Sequence, residues 1–302
     1  MSSFAMKIMK TMMRLQPGFR SLGKSDTVDW VKFRAMSDRS MEALKPTKGV
    51  SFRSVRLGSM DGEVCTPASV QNSTVIFYIH GGGFVAGNAK TSRAYASAIA
   101  AKTGFSVYTC TYRLAPEHPA PAMQEDCLSG YKALLALYPD TPIVLLGESG
   151  GAHLALTTAL LAKEKGFRLP ACVAAYSVPL AWDGSLNEQR AKNEKTDIQL
   201  SVMALDRLAD SFCPDAAKRK DWLISPLYAD YTGFPPLYLS WAENEVLAAD
   251  SELLEQLAKQ AGVPVTARPM PDAFHAFVTL AGMLPEADTI LEETKNFIEN
   301  NL

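Results

Sequence analysis

Apolar and polar positions change their period several times along this chain, and each change marks an element. The run Thr74-Val75-Ile76-Phe77-Tyr78-Ile79 is apolar without alternation, as a strand buried on both faces requires. Comparable short runs at 106–111, 142–146, 171–177, 236–240 and 264–270 are separated by stretches of helical spacing at 92–102, 122–137, 150–165 and 247–261. A last helical stretch covers 286–300. Apolar strands alternating with amphipathic helices predict an α/β fold whose mostly parallel sheet is covered on both faces. Two-residue alternation at 51–57, followed by a partner run at 62–68, adds two strands ahead of these.

The α/β rhythm stops between 181 and about 223, a polar stretch in which 196–210 has helical spacing of its own. Residues 1–48 likewise carry no strand pattern. The chain therefore divides into an N-terminal segment (1–48) and an insertion (181–224), both candidates for a lid, and a sheet domain assembled from 49–180 and 225–302. No internal repeat or low-complexity tract interrupts this plan.

Composition narrows the function classes. With 302 residues, 47% of them hydrophobic and 21% charged, the chain can bury a large core. A net charge of −2 lacks the basic excess that nucleic acid binding needs. Cys65, Cys110, Cys127, Cys172 and Cys213 are unevenly spaced and odd in number, which fits buried reduced thiols in a cytoplasmic protein. Residues 1–20 mix Met, Phe and Leu with Lys7, Lys10, Arg14 and Arg20, without an unbroken apolar run. This is neither a secretory signal nor a membrane span, so no stable membrane insertion is expected. An amphipathic helix covering something apolar explains these residues more simply than a transit peptide does.

The chemistry centres on residues 143–153, where the strand run Ile143-Val144-Leu145-Leu146 breaks into Gly147-Glu148-Ser149-Gly150-Gly151 and then becomes helical. Gly-x-Ser-x-Gly alone recurs by chance in glycine turns. Between a buried strand and an Ala/Leu-rich helix it describes a nucleophilic serine on a tight elbow, with helix N–H groups facing developing negative charge. Such a serine needs a base, an acid to orient the base, and oxyanion donors. His153 lies on the same helix, His80 abuts a glycine run and His118 lies in a proline-rich connection. His275, between Phe274 and Phe277, is the remaining histidine, and it alone satisfies the chain order Ser, acid, His. Glu243, Glu245 and Asp250 compete as the acid. Asp250 falls inside the helix starting near Leu247 and Glu243 lies close to the strand end, which favours Glu245. Asp272 is too near His275 in sequence to be the usual orienter. In His80-Gly81-Gly82-Gly83-Phe84, the bare N–H groups of Gly82 and Gly83 can form an oxyanion hole with that of Gly150. A phosphate-binding loop would need a Gly-x-Gly-x-x-Gly or Gly-Lys-Ser/Thr pattern, which is absent.

Together with Tyr112-Arg113-Leu114-Ala115-Pro116-Glu117-His118-Pro119, these motifs resemble the hormone-sensitive lipase-like (bacterial family IV) esterases of the α/β-hydrolase superfamily, over most of the chain from about residue 51. That family usually has Gly-Asp-Ser-Ala-Gly-Gly at the elbow; here Glu148, Gly150 and Ala152 replace its Asp, Ala and last Gly. Where the family carries Asp-Pro-Leu, this chain has Glu245-Val246-Leu247, which aligns Glu245 with the acid. The resemblance implies a helical cap and a serine carboxylesterase acting on short- to medium-chain esters, with no cofactor and no metal. Lactonase or acyltransferase chemistry on the same triad, or a non-catalytic small-molecule receptor on this fold, are the alternatives; receptors of that kind lose the histidine that His275 supplies here. Met9, Met12, Met13, Trp30 and Phe33 suit an acyl pocket and the core of a cap equally well, and Val202, Met203 and Leu208 are similarly placed. The last strand, as an open edge, is compatible with a homodimer.

Overall fold

A computed structural model describes residues 2–15, 18–24, 27–70 and 74–302. Eight strands form one sheet: β1 (Val50–Leu57), β2 (Met60–Pro67), β3 (Val75–Ile79), β4 (Ser106–Thr111), β5 (Ile143–Glu148), β6 (Val173–Tyr176), β7 (Leu237–Ala242) and β8 (Val265–Met270). Their order is β1-β2-β4-β3-β5-β6-β7-β8. The pairs β1–β2 and β2–β4 are antiparallel and the remaining pairs parallel. The fold class expected from the alternation of strands and helices is the one observed.

Strand periodicity separates the core into two layers. Phe77, Leu145, Val173 and Leu239 face a cluster that includes Tyr131 and Leu134 of α4 (Ala122–Leu137), Leu154 and Leu156 of α5 (Gly150–Glu164) and Leu254 of α8 (Ala248–Gln260). Their neighbours Ile76, Tyr78, Val144, Leu146 and Tyr238 face Ile99 of α3 (Arg93–Thr103) and Ile290 and Ile298 of α9 (Pro285–Glu299). Successive side chains thus leave opposite faces, and every residue of β3 and β5 is buried.

The segments without strand pattern hold α1 (Phe4–Arg14), α2 (Trp30–Glu42), α6 (Asn187–Ala191) and α7 (Val202–Phe212). The helical spacing seen from 196 becomes helix only at Val202. Before it, the Asp197 carboxylate accepts the N–H groups of Gln199 and Leu200, holding them in a local turn that competes with helix. Ser201 then caps α7 through the N–H of Ala204. Strand β5 runs two residues past Leu146, because Gly147 and Glu148 still pair with Ala175 and Tyr176.

Candidate active site

The carboxyl ends of parallel strands converge on one edge of the sheet, where ligands bind in open α/β folds. Strand β3 delivers the His80–Phe84 loop, β5 delivers Ser149, β7 delivers Glu245 and β8 delivers His275. Ser149 has φ 54° and ψ −126°, a conformation that L residues rarely adopt. Its N–H donates to the Tyr176 carbonyl at 2.8 Å, and its own carbonyl accepts from His153 at the start of α5. The turn is tight enough that a side-chain carbon on Gly151 would overlap the carbonyl oxygens of Ile79 and His80.

Ser149 Oγ lies 2.9 Å from His275 Nε2, and His275 Nδ1 lies 2.8 Å from Glu245 Oε2. His275 and Glu245 are both buried, with 7% and 1% of their surface exposed. Desolvation alone would lower the imidazole pKa, but the adjacent Glu245 carboxylate, joined by lesser contributions from Asp197 and Glu148, outweighs it and raises His275 above its ordinary value. Burial raises Glu245, and the facing imidazole only partly offsets this. The loop carrying Glu245 is itself held, since Asp197 Oδ2 accepts the N–H of Val246 and Asn193 donates to the Glu245 carbonyl. On the other side, Ser177, at φ 50°, accepts the N–H of Ala276.

The glycine loop lies directly beside the elbow. Gly82 has φ 106°, a region open to glycine. The N–H groups of Gly82 and Gly83 donate to no acceptor among the described residues, although the carbonyl of Gly82 accepts from Val85 and Ala86. The loop is pinned by Glu148, whose Oε1 accepts the N–H of Gly81 at 2.7 Å. Burial pushes the Glu148 carboxyl up to about 7. Both the Glu148 clamp and the Asp197 tether escaped the sequence, because each joins loops 49 or more residues apart.

The other candidates take structural positions. Asp250 is fully buried in α8, where it pairs with Arg190 at 2.6 Å and accepts the N–H of Leu180. It therefore ties α6 to the sheet domain. Glu243 lies beside β8, its N–H donating to the Met270 carbonyl. His153 packs among Phe84, Trp182 and Phe212. His80 stacks on Tyr112 with ring centroids 4.2 Å apart. Burial holds both imidazoles down to about 4, hence neutral at pH 7. His118 is exposed.

Above Ser149 opens a cavity of about 220 Å³. Its walls include Met13, Phe19, Leu200, Leu205, Leu208 and Leu280, and Gly81, Gly82, Gly83, Gly150 and His275 also border it. Of the side chains proposed for an acyl pocket, Met13 and Leu208 reach the cavity. Met12 and Met203 are exposed, Met9 and Val202 pack partly buried, and Trp30 and Phe33 pack edge-to-face behind Phe19. Leu200 and Leu205 gave no distinguishing signal in sequence, since any amphipathic helix or loop supplies such leucines. Among the described residues, no group of three or more His, Cys, Asp or Glu could hold a metal ion. All five cysteines are buried and unpaired, and no helix among the described residues is long and apolar enough to cross a membrane.

Comparison with known proteins agrees with this fold. Residues 76–279 match the α/β-hydrolase fold family. The chain is 32% identical over 268 residues to an acetyl-hydrolase of Streptomyces hygroscopicus, covering 88% of each chain. It is 30% identical over 266 residues to an esterase of Acinetobacter venetianus, covering 87% of each. The crystal structure of an esterase from the bacterial hormone-sensitive lipase family superposes with a TM-score of 0.91 at 26% identity, covering 100% of this chain and 99% of the other. With a shared sheet, a shared sequence over most of its length and an edge equipped for acyl chemistry, this chain belongs to the hormone-sensitive lipase-like α/β-hydrolases and is a carboxylic ester hydrolase.

Proposed function

We propose that the protein hydrolyses short- to medium-chain carboxylic esters through an acyl-enzyme on Ser149. The observation that carries this reading is the hydrogen-bonded line Ser149 Oγ, His275 Nε2, His275 Nδ1, Glu245 Oε2 at the base of a small, largely apolar cavity. Ser149 Oγ attacks the carbonyl carbon while its proton passes to His275 Nε2, and Glu245 stabilises the resulting imidazolium and holds the ring. The negative charge on the former carbonyl oxygen is met by the N–H groups of Gly82, Gly83 and Gly150, each lost donor costing ~3 kcal/mol of transition-state stabilisation. Collapse expels the alkoxide, which takes the proton from Nε2. Water then attacks the acyl-enzyme, giving a proton to Nε2, and release of the acid restores Ser149.

Residues 1–48 and 181–224 act as a cap in this reading. They supply Met13, Phe19, Leu200, Leu205 and Leu208 to the cavity wall, and with them the limit on acyl length. Replacing Ser149 by Ala is expected to lower turnover of a p-nitrophenyl short-chain ester by about three orders of magnitude or more. The fold should be unchanged by circular dichroism. A fluorophosphonate probe should label the wild-type protein and not the variant. Retained turnover in Ser149→Ala, or a wild-type protein that does not label, would contradict the proposal.

A further inference from the structure

Helix α1 is apolar on two sides. Met6, Met9 and Met13 point inward, Met6 into the cluster around Phe274 and Phe277 and Met13 onto the cavity wall. On the opposite side Phe4, Ile8, Met12 and Leu15 stand in solvent, 79%, 44%, 52% and 83% exposed. Spacings of four, four and three residues place these four on one helix face, where an ordinary surface helix would be polar. The charge carried by the helix itself has one sign. Lys7 and Arg14 are exposed, and residues 1–24 hold no Asp or Glu, although the whole chain carries a net charge of −2.

The helix is fastened at the rim of the site. Ser3 donates its N–H and hydroxyl to Glu286 at 2.6 and 2.9 Å, and Lys10 Nζ donates to the carbonyl of Asp272, three residues before His275, at 3.0 Å. The outer face of α1 is therefore a fixed apolar ridge beside the cavity.

We propose that this face docks on an anionic phospholipid surface, with Phe4, Ile8, Met12 and Leu15 entering the boundary between headgroups and acyl chains and Lys7 and Arg14 lying at the phosphates. A helix of this kind lies in the interface plane and does not span the bilayer. Docking brings the cavity to the layer where apolar esters concentrate, a consequence that rests on the esterase reading above, whereas docking itself does not. Charge argues against a second copy as the occupant. In a two-fold pairing the face meets itself and gathers the cations of both helices, with no carboxylate on either helix to offset them.

The test is co-sedimentation of the full chain with large unilamellar vesicles of phosphatidylcholine, with and without phosphatidylglycerol. The Ser149→Ala variant is run beside the wild type so that lipid hydrolysis cannot affect the readout. The pelleted fraction should rise about fivefold or more on anionic vesicles and fall back in about 0.5 M salt. The triple variant Phe4→Ser, Ile8→Ser, Leu15→Ser should lose this binding while turning over a soluble short-chain ester within about twofold of wild type, since these side chains face away from the core. Three results would overturn the proposal: no anionic-vesicle binding above the vesicle-free control, equal binding by the triple variant, or a wild-type dimer on sizing that the triple variant converts to monomer.

Discussion

The carboxylate of Glu148 accepts the backbone N–H of Gly81 at 2.7 Å, joining the residue before Ser149 to the loop that presents Gly82 and Gly83. Removing this acceptor frees the loop, so Glu148→Ala should lower kcat about tenfold or more with little change in KM, as expected when transition-state donors are displaced. Glu148→Gln retains an acceptor oxygen and should keep most of the activity. Stability supplies a second readout. The folded carboxyl titrates at about 7 against an ordinary value of 4.5, so the folded state holds a proton that the unfolded state has lost between these values. Wild-type stability contributed by this group is full below 4.5 and is lost as pH rises through 7. Relative to Glu148→Gln, the wild type should lose up to ~3 kcal/mol over that range in urea unfolding. A constant difference between the two proteins would show that Glu148 does not titrate there.

Glu245 governs the titration of His275. Burial depresses the imidazole, and the nearby carboxylates, Glu245 foremost with Asp197 and Glu148, more than compensate, so His275 protonates above its ordinary 6.5. Because the base must be neutral to take the Ser149 proton, kcat/KM should fall on the acid side with a midpoint above 6.5. In Glu245→Gln the strongest raising influence is gone, and burial is opposed only by the lesser effects of Asp197 and Glu148. The midpoint should move down, and the plateau should drop by about 10²–10⁴ as the ring loses its orienting partner. The pH–rate profile of both proteins on a short-chain ester tests this, and an unmoved midpoint would exclude Glu245 as the orienter.

Asp250 should fail in a different way. Asp250→Ala leaves the guanidinium of Arg190, 2% exposed, without its partner, at a cost of about 3–5 kcal/mol in folding stability. Turnover per folded molecule should stay within about tenfold of wild type. Chemical unfolding and active-site titration separate the two effects. If Asp250→Ala abolishes turnover as fully as Ser149→Ala while Glu245→Ala remains near wild type, the acid has been misassigned.

Gly151 should tolerate no side chain. A methyl group there meets the carbonyls of Ile79 and His80, which cannot withdraw because Ile79 belongs to a strand paired on both sides. Gly151→Ala should therefore lower the thermal midpoint by about 4 °C or more and reduce labelling of Ser149 by the fluorophosphonate probe. Wild-type values on both measurements would show that the elbow can relax.

The strands β3 and β5, the elbow at Ser149 and the late His275 were legible because each is marked by a local pattern or by elimination among four histidines. Burial on both faces leaves an unbroken apolar run, and a tight turn leaves glycines, whatever the rest of the chain does. The loop at 196–201, read as helix, shows where this fails, since the Asp197 carboxylate takes up backbone N–H groups there and also reaches Val246. Tertiary structure alone decided that Glu148 clamps Gly81, that Asp250 belongs to Arg190, that Leu205 lines the cavity while Met12 stands in solvent, and that α1 is apolar on both sides. Periodicity reports which positions are buried within one element. It carries no record of which loops meet at the sheet edge, because those meetings depend on the distance and direction between atoms far apart in the chain.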